Sequence, residues 1–257
     1  MNMTTAPKTD LRELIQTPGA MRELERVLPD HMTADRQVRI ILSAMGKTPK
    51  LQRCSKESFI ESMMSCSEMG LEPNGRHAHL IPYGSTCTLV VDYKGLKELA
   101  FRSGHVASIH ADVVRQNDEF SHVDGVVHHS IDWRQPRGDI FAVYCIVKLT
   151  NGGRKDEVMS LEEIEGIRQR SKAGQSGPWC TDWAEMAKKT VFKRASKYIP
   201  ESQCLTAALM HEERHDFPQP PHRGLGVQAT IQKLDALTDD TGDLGGAEDA
   251  ANSSASA

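Results

Sequence analysis

The chain has 257 residues, 39% of them hydrophobic, with 31 Lys and Arg against 35 Asp and Glu for a net charge of −4. That length and apolar content suffice to bury a full core, which excludes a wholly disordered protein, and no apolar run approaches the ~18 residues a membrane span needs. Six cysteines (Cys54, Cys66, Cys87, Cys145, Cys180, Cys204) form no C-x-x-C pair, which argues against cysteine-held structural zinc; with no signal peptide at the start, a reduced, cytoplasmic compartment is expected.

The charge is unevenly spread. Residues 211–257 hold nine acids and three bases, leaving 28 bases and 26 acids in the first 210. A mildly basic body is thus followed by an acidic end. Three parts are expected: an N-terminal helical segment (1–30), a core (31–210), and a flexible acidic tail (211–257) available for partner docking.

In chain order, the first nine residues are polar and read as loose. Leu11, Leu14 and Ile15, then Met21, Leu24, Val27 and Leu28, recur at helical spacing, divided by Pro18-Gly19 and stopped by Pro29. Thr33 or Asp35 caps a third helix through Val38, Ile41, Leu42 and Met45, closed by Gly46 and Pro49. Ser55-Lys56-Glu57-Ser58 opens a fourth, in which Phe59, Ile60, Met63, Met64 and Met69 read as core and Gly70 as the stop.

From Ala78 the period shortens. His79–Tyr83 and Thr86–Asp92 read as a hairpin turned at Gly84-Ser85, and Tyr93–Gly104 as a strand end passing into a helix. Strands are expected over Val106–Arg115, Phe120–Val123, Val126–Trp133 and Asp139–Thr150, separated by Asp124-Gly125 and Pro136-Arg137-Gly138. The last puts Phe141, Val143, Cys145, Val147 and Leu149 on one face and Ile140, Ala142, Tyr144 and Ile146 on the other, so both faces are covered. After Asn151-Gly152-Gly153 comes a short strand ending at Val158-Met159, then a capping box, Ser160-Leu161-Glu162-Glu163, for a helix to about Arg170. The class is α+β.

Ser171–Gly177 is polar, a candidate mobile loop. Pro178–Pro200 then reads as one helix of about four turns, with Thr181 or Asp182 as cap and Pro200 as stop. Ala184, Ala187, Val191, Ala195 and Tyr198 share its packing stripe, while Lys189, Lys193 and Lys197 recur on the other side. No acid lies between Lys188 and Lys197. Such a ridge suits a polyanion, whereas an ordinary solvated helix alternates its signs. Lys188 projects toward Phe192 and Ala195, where its ammonium needs water, a carboxylate or a phosphate. Order is expected to fade after Leu209, with one amphipathic piece, Val227–Leu237, able to dock on a partner.

His211-Glu212-Glu213-Arg214-His215 matches the H-E-x-x-H zinc-peptidase motif. Its context opposes that reading: Pro218 ends the helix, and Pro218 and Pro221 stand where a metzincin needs glycine and histidine. His77-Ala78-His79 and His128-His129 lack an acidic partner at ligand spacing. No phosphate loop and no dinucleotide fingerprint is present, so no metal, cofactor or catalytic residue is assigned. What remains is cationic and aromatic. Lys94, Lys97 and Arg102 lie on one helix and Lys188, Lys189, Lys193, Arg194 and Lys197 on another, near Tyr93, Trp179, Trp183 and Phe192. Cations neutralise phosphates and rings stack on exposed bases, although Trp179 and Trp183 are equally suited to a core.

In order along the chain stand Leu80-Ile81-Pro82-Tyr83; Tyr93-Lys94-Gly95-Leu96-x-Glu98-Leu99 with Arg102-Ser103-Gly104; Met159-Ser160-x-x-Glu163-Ile164; Arg168-x-Arg170-Ser171; and Trp179-x-Thr181-Asp182-Trp183-x-Glu185-Met186-Ala187-Lys188-Lys189-Thr190-Val191, continuing to Lys197-Tyr198-Ile199-Pro200. Together these resemble the RecT single-strand annealing proteins of phages and prophages, over about Asp35 to Ser202. The resemblance implies a small mixed or antiparallel sheet packed with helices, related to annealing-protein cores. It implies an ATP-independent recombinase, not a chemical enzyme, that oligomerises as a ring or helical filament on single-stranded DNA, holds the annealed duplex, and works beside a host single-strand-binding protein and a phage exonuclease. The eight cations above are the implied backbone contacts. Phe192 stands where the family would carry a smaller aliphatic residue, leaving open whether it packs or stacks. A passive single-strand coat would share the same groove.

Overall fold

The computed structural model describes residues 10–171, 174–175, 177–200 and 202–216. Four helices lead: α1 (Leu11–Leu14), α2 (Pro18–Val27), α3 (Ala34–Lys47) and, after a 3₁₀ turn at Pro49–Arg53, α4 (Lys56–Glu68). Their starts follow the capping residues in the sequence. Thr17, Thr33 and Ser55 each accept a bond from a backbone N–H inside the first turn, satisfying a donor that the helix leaves orphaned. All five expected apolar positions of α4, from Phe59 to Met69, are buried.

The strands form three small antiparallel sheets. Hairpin β1 (Ala78–Tyr83) and β2 (Thr86–Val91) precedes α5 (Tyr93–Arg102), which Asp92 caps. Strands β3 (Val106–Arg115), β6 (Ile140–Leu149) and β7 (Arg154–Ser160) make the central sheet, with β6 in the middle. The second hairpin, β4 (Glu119–Val123) and β5 (Val126–Ser130), lies over it. Helices α6 (Leu161–Arg170), α7 (Pro178–Thr181), α8 (Trp183–Ala195) and α9 (Gln203–Asp216) complete the described chain.

Strand β6 carries the fold because both of its faces are apolar. Val143, Cys145 and Val147 enter the main core with Val191, Phe192 and Ala195 of α8. Ala142 and Tyr144 enter a second core with Val114 and Val127, flanked by Phe120, Ile146 and Val158. The second hairpin is tied to β7 by Asp156, which accepts from the Val127 N–H at 2.8 Å, while Arg154 donates to the Val127 carbonyl at 3.3 Å. The Ser160 and Glu163 capping box forms as expected.

Three expectations need correction. The strand read as Val126–Trp133 stops at Ser130, because Asp132 accepts the Arg134 N–H and folds the chain into a loop. The single helix read over Pro178–Pro200 is three pieces: Asp182 leaves helical conformation at φ −140° and ψ 49°, separating α7 from α8, and Ser196–Tyr198 is a 3₁₀ turn. The tighter winding of that turn rotates Tyr198 off the packing stripe, leaving it 60% exposed. Order does not fade after Leu209, since α9 runs to Asp216 with Glu212 buried; the expected tail beyond 216 and the amphipathic piece Val227–Leu237 lie outside the described residues.

Candidate nucleic-acid interface

Three basic residues of α8, Lys189, Lys193 and Arg194, face a groove walled by α6 and α9. One pocket of about 250 Å³ is lined by Arg170, Lys189, Lys193, Arg194 and Lys197 over an apolar floor of Ile167, Trp179 and Met186. A second, of about 370 Å³, shares Lys193, Lys197 and Glu213 with the first, so the two form one channel along α8 and α9. Lys197 is exposed and makes no ion pair with a described residue. Four expected cations (Lys189, Lys193, Arg194, Lys197) therefore share one wall, to which the structure adds Arg170.

These cations are not equivalent. Lys189 is drawn inward: its ammonium donates to the Val91 carbonyl at 2.9 Å and forms an ion pair with Glu212. Arg194 lies between Glu157 at 2.9 Å and Glu163 at 2.7 Å. Hydrogen bonding to Arg194 holds the Glu163 carboxyl below the usual range, and the Glu163 bond in turn raises the guanidinium. Lys188 is paired with Glu185 one turn earlier, which answers the need for a carboxylate inferred from its inward projection.

The α5 cations do not line this channel. Lys94 is exposed. Lys97 lies over the Tyr93 ring, 5.4 Å from its centroid. Arg102 donates to the Gly70 carbonyl at 2.9 Å and contacts Glu98 at 3.4 Å. The Gly70 turn has φ +64°, and an added Cβ would fall 2.7 Å from the Arg102 guanidinium, so a glycine permits both the turn and the approach.

The four expected stacking rings pack instead. Phe192 is fully buried and meets Tyr93 edge-on at 5.5 Å, and burial pushes the Tyr93 hydroxyl upward. Trp179 is in the core. The Trp183 indole N–H donates to Glu165 at 2.7 Å. Among the described residues the most exposed rings are Trp133 and Tyr198, ahead of Tyr83, Phe101 and Phe141, and none of these five was a stacking candidate from sequence. Tyr198 follows the channel residue Lys197 in the chain and carries Lys155 4.2 Å from its centroid. The signals were a proline two residues after Tyr198 and the Pro136 and Gly138 punctuation after Trp133.

The H-E-x-x-H run has a structural role here. Glu212 accepts the Val91 N–H at 2.8 Å as well as Lys189, and the His211 Nε2–H donates to the Leu89 carbonyl at 2.8 Å. Ser58 Oγ accepts the Cys87 N–H at 2.9 Å and Ser62 Oγ donates to the Cys87 carbonyl at 3.0 Å. Strand β2 would otherwise present these groups as an open edge. Side chains from α4, α8 and α9 seal it. The glutamate and one histidine of the run are thus engaged in holding the strand edge.

The RecT family model matches residues 35–222. Protein RecT of Escherichia coli (strain K12) is 38% identical over 225 residues, covering 83% of this chain and 84% of that protein. The uncharacterized protein YqaK of Bacillus subtilis (strain 168) is 27% identical over 186 residues, or 71% of this chain and 64% of its own length.

Proposed function

Because the chain belongs to the RecT family, a family of DNA recombination and single-strand annealing proteins, we propose that it anneals complementary DNA strands without ATP, as an oligomer on single-stranded DNA. The observation that carries this is the channel between α8 and α9, where Lys193 and Lys197 line both connected pockets. Two DNA strands repel each other through their phosphates. A row of cations that neutralises one backbone lowers that repulsion, and successive copies of the chain extend the row.

Sequence discrimination then resides in the DNA. Contacts to phosphate position a strand without reading it, so the bases remain available to pair. Correct pairs persist through their own stacking and hydrogen bonding. The protein needs no chemical active site for this, and energy comes from pairing rather than hydrolysis. Lys94, Lys97, Arg102 and Lys188 are secondary contacts in this proposal because they lie off the channel or are paired. Host single-strand-binding protein and an exonuclease supplying single strands are the proposed partners, in the bacterial cytoplasm.

The test follows two labelled complementary oligonucleotides with and without the full chain, in the absence of ATP. Faster pairing supports annealing. Tight strand binding with slowed pairing identifies a passive coat instead, and absence of DNA binding rejects both.

A further inference from the structure

The loop at 131–139 presents an aromatic ring to solvent and holds it there. Trp133 is 78% exposed, more than any other large hydrophobic residue among those described. Leaving an indole in water is unfavourable, because most of its surface is apolar. A flexible loop would fold it inward, but this loop is fastened. Asn117 donates from its side chain to the Pro136 carbonyl at 2.8 Å and from its backbone to the Arg137 carbonyl at 3.0 Å, and the Gln116 N–H reaches the Asp139 carbonyl at 2.9 Å.

One face of the indole is already occupied. The Arg137 guanidinium lies 5.4 Å from the ring centroid, within cation–π range. Arg137 is itself immobilised: it grips the Asp118 carboxylate through two bonds of 2.8 and 2.7 Å and donates to the Val113 carbonyl at 3.1 Å. Asp118 is buried, and also accepts the Arg115 N–H at 2.8 Å and bonds His129 at 3.1 Å. The second core thus supports a ladder of carboxylate, guanidinium and indole whose outer face is open.

We propose that Trp133 is a nucleobase-binding site, its open face stacking on an unpaired base of single-stranded DNA. This rests on the annealing reading. The surroundings favour a single stacked ring over a protein partner: the exposed neighbours in the loop are Asp132, Arg134, Gln135, Pro136, Gly138 and Asp139, not the contiguous apolar patch that a protein interface needs at its centre. Every base offers a π face, so such a ring binds without sequence preference and leaves the pairing edge free. Because the loop is pinned before binding, little ordering entropy opposes contact.

Intrinsic fluorescence of the full chain tests this, since Trp133 is the exposed member of three tryptophans. Oligo(dT) should quench the water-exposed emission of the natural protein. Trp133→Phe should bind labelled oligo(dT) within about twofold by anisotropy yet show no such quench, while Trp133→Ala should bind about tenfold more weakly, as loss of one stacked base implies. An abasic strand with the same number of phosphates should bind without quenching. Quenching by the abasic strand, or by raising protein concentration without DNA, would make Trp133 a contact between protein copies and overturn the proposal. Bound oligo(dT) with unchanged Trp133 emission would overturn it while sparing the annealing reading. Absence of DNA binding by anisotropy would overturn both.

Discussion

Lys189 and Glu212, 23 residues apart, form an ion pair whose carboxylate is buried and whose ammonium also holds the Val91 carbonyl. The pair joins α8, α9 and the edge of β2 at one point. Lys189 is therefore committed to the fold as well as to the channel wall. Removing one member of such a pair leaves the other charge buried and uncompensated. Lys189→Ala should destabilise the protein by about 3–5 kcal/mol, read as a shifted denaturation midpoint. Lys189→Met combined with Glu212→Gln should recover part of the loss, since no charge stays buried and the amide oxygen still accepts the Val91 N–H, and Lys197→Ala should leave the midpoint unchanged. Equal midpoints for Lys189→Ala and Lys197→Ala would show that the pair does not stabilise the fold.

Phe192 packs rather than stacks. It lies at 0% accessibility against Tyr93 and the β6 side of the core. Phe192→Ala should cost about 3–5 kcal/mol, whereas Phe192→Leu should retain DNA affinity with a smaller loss of stability. A folded Phe192→Leu protein that bound oligo(dT) tenfold more weakly would contradict this placement.

Much of this fold is legible from residue order. The helix starts read at Thr33, Ser55 and Ser160 act as caps within one turn, and the apolar faces of β6 report its two cores. Periodicity cannot reveal pairings made across the chain. Glu212 meets the Val91 N–H at a separation of 121 residues, so a local motif that reads as zinc chemistry proves to seal a strand edge. The candidate cations were visible as a run, but which of them already hold carboxylates was not, since Glu157, Glu163 and Glu212 come from other elements. Trp133 was hidden for a related reason: the expected strand ran three residues past its end at Ser130, through a turn fixed by Asp132.

Acid should weaken the second core. The paired Arg137, with further bonds from the Arg115 N–H and His129, holds the Asp118 carboxyl well below its ordinary value of 3.8. A depressed carboxylate contributes stability that is complete above its unfolded value and is lost as pH falls toward its folded value. The melting temperature of the natural protein should therefore fall below about pH 4. Asp118→Asn should be less stable at neutral pH, and its deficit should narrow below pH 4. A deficit constant down to pH 2 would exclude this linkage.

Residues 217–257 carry six acids, Asp235, Asp239, Asp240, Asp243, Glu248 and Asp249, against Arg223 and Lys233. A chain ending at Asp216 keeps the α9 contacts. If the acidic residues compete with DNA for the channel, the shortened protein should bind oligo(dT) more tightly, and the difference should vanish as salt screens it. If they recruit a partner, binding in vitro should be unchanged and recombination in cells lost. An unchanged result in both assays would remove both roles.

The most direct test of the channel is the salt dependence of DNA binding for the natural protein and for Lys193→Ala/Lys197→Ala. Each phosphate contact to a single strand contributes about −0.7 to the slope of log K against log salt. If these two lysines each hold a phosphate, the double variant should remain folded, anneal slowly, and show a slope shallower by about 1.4. An unchanged slope with unimpaired annealing would place the DNA elsewhere on the molecule and contradict the central claim.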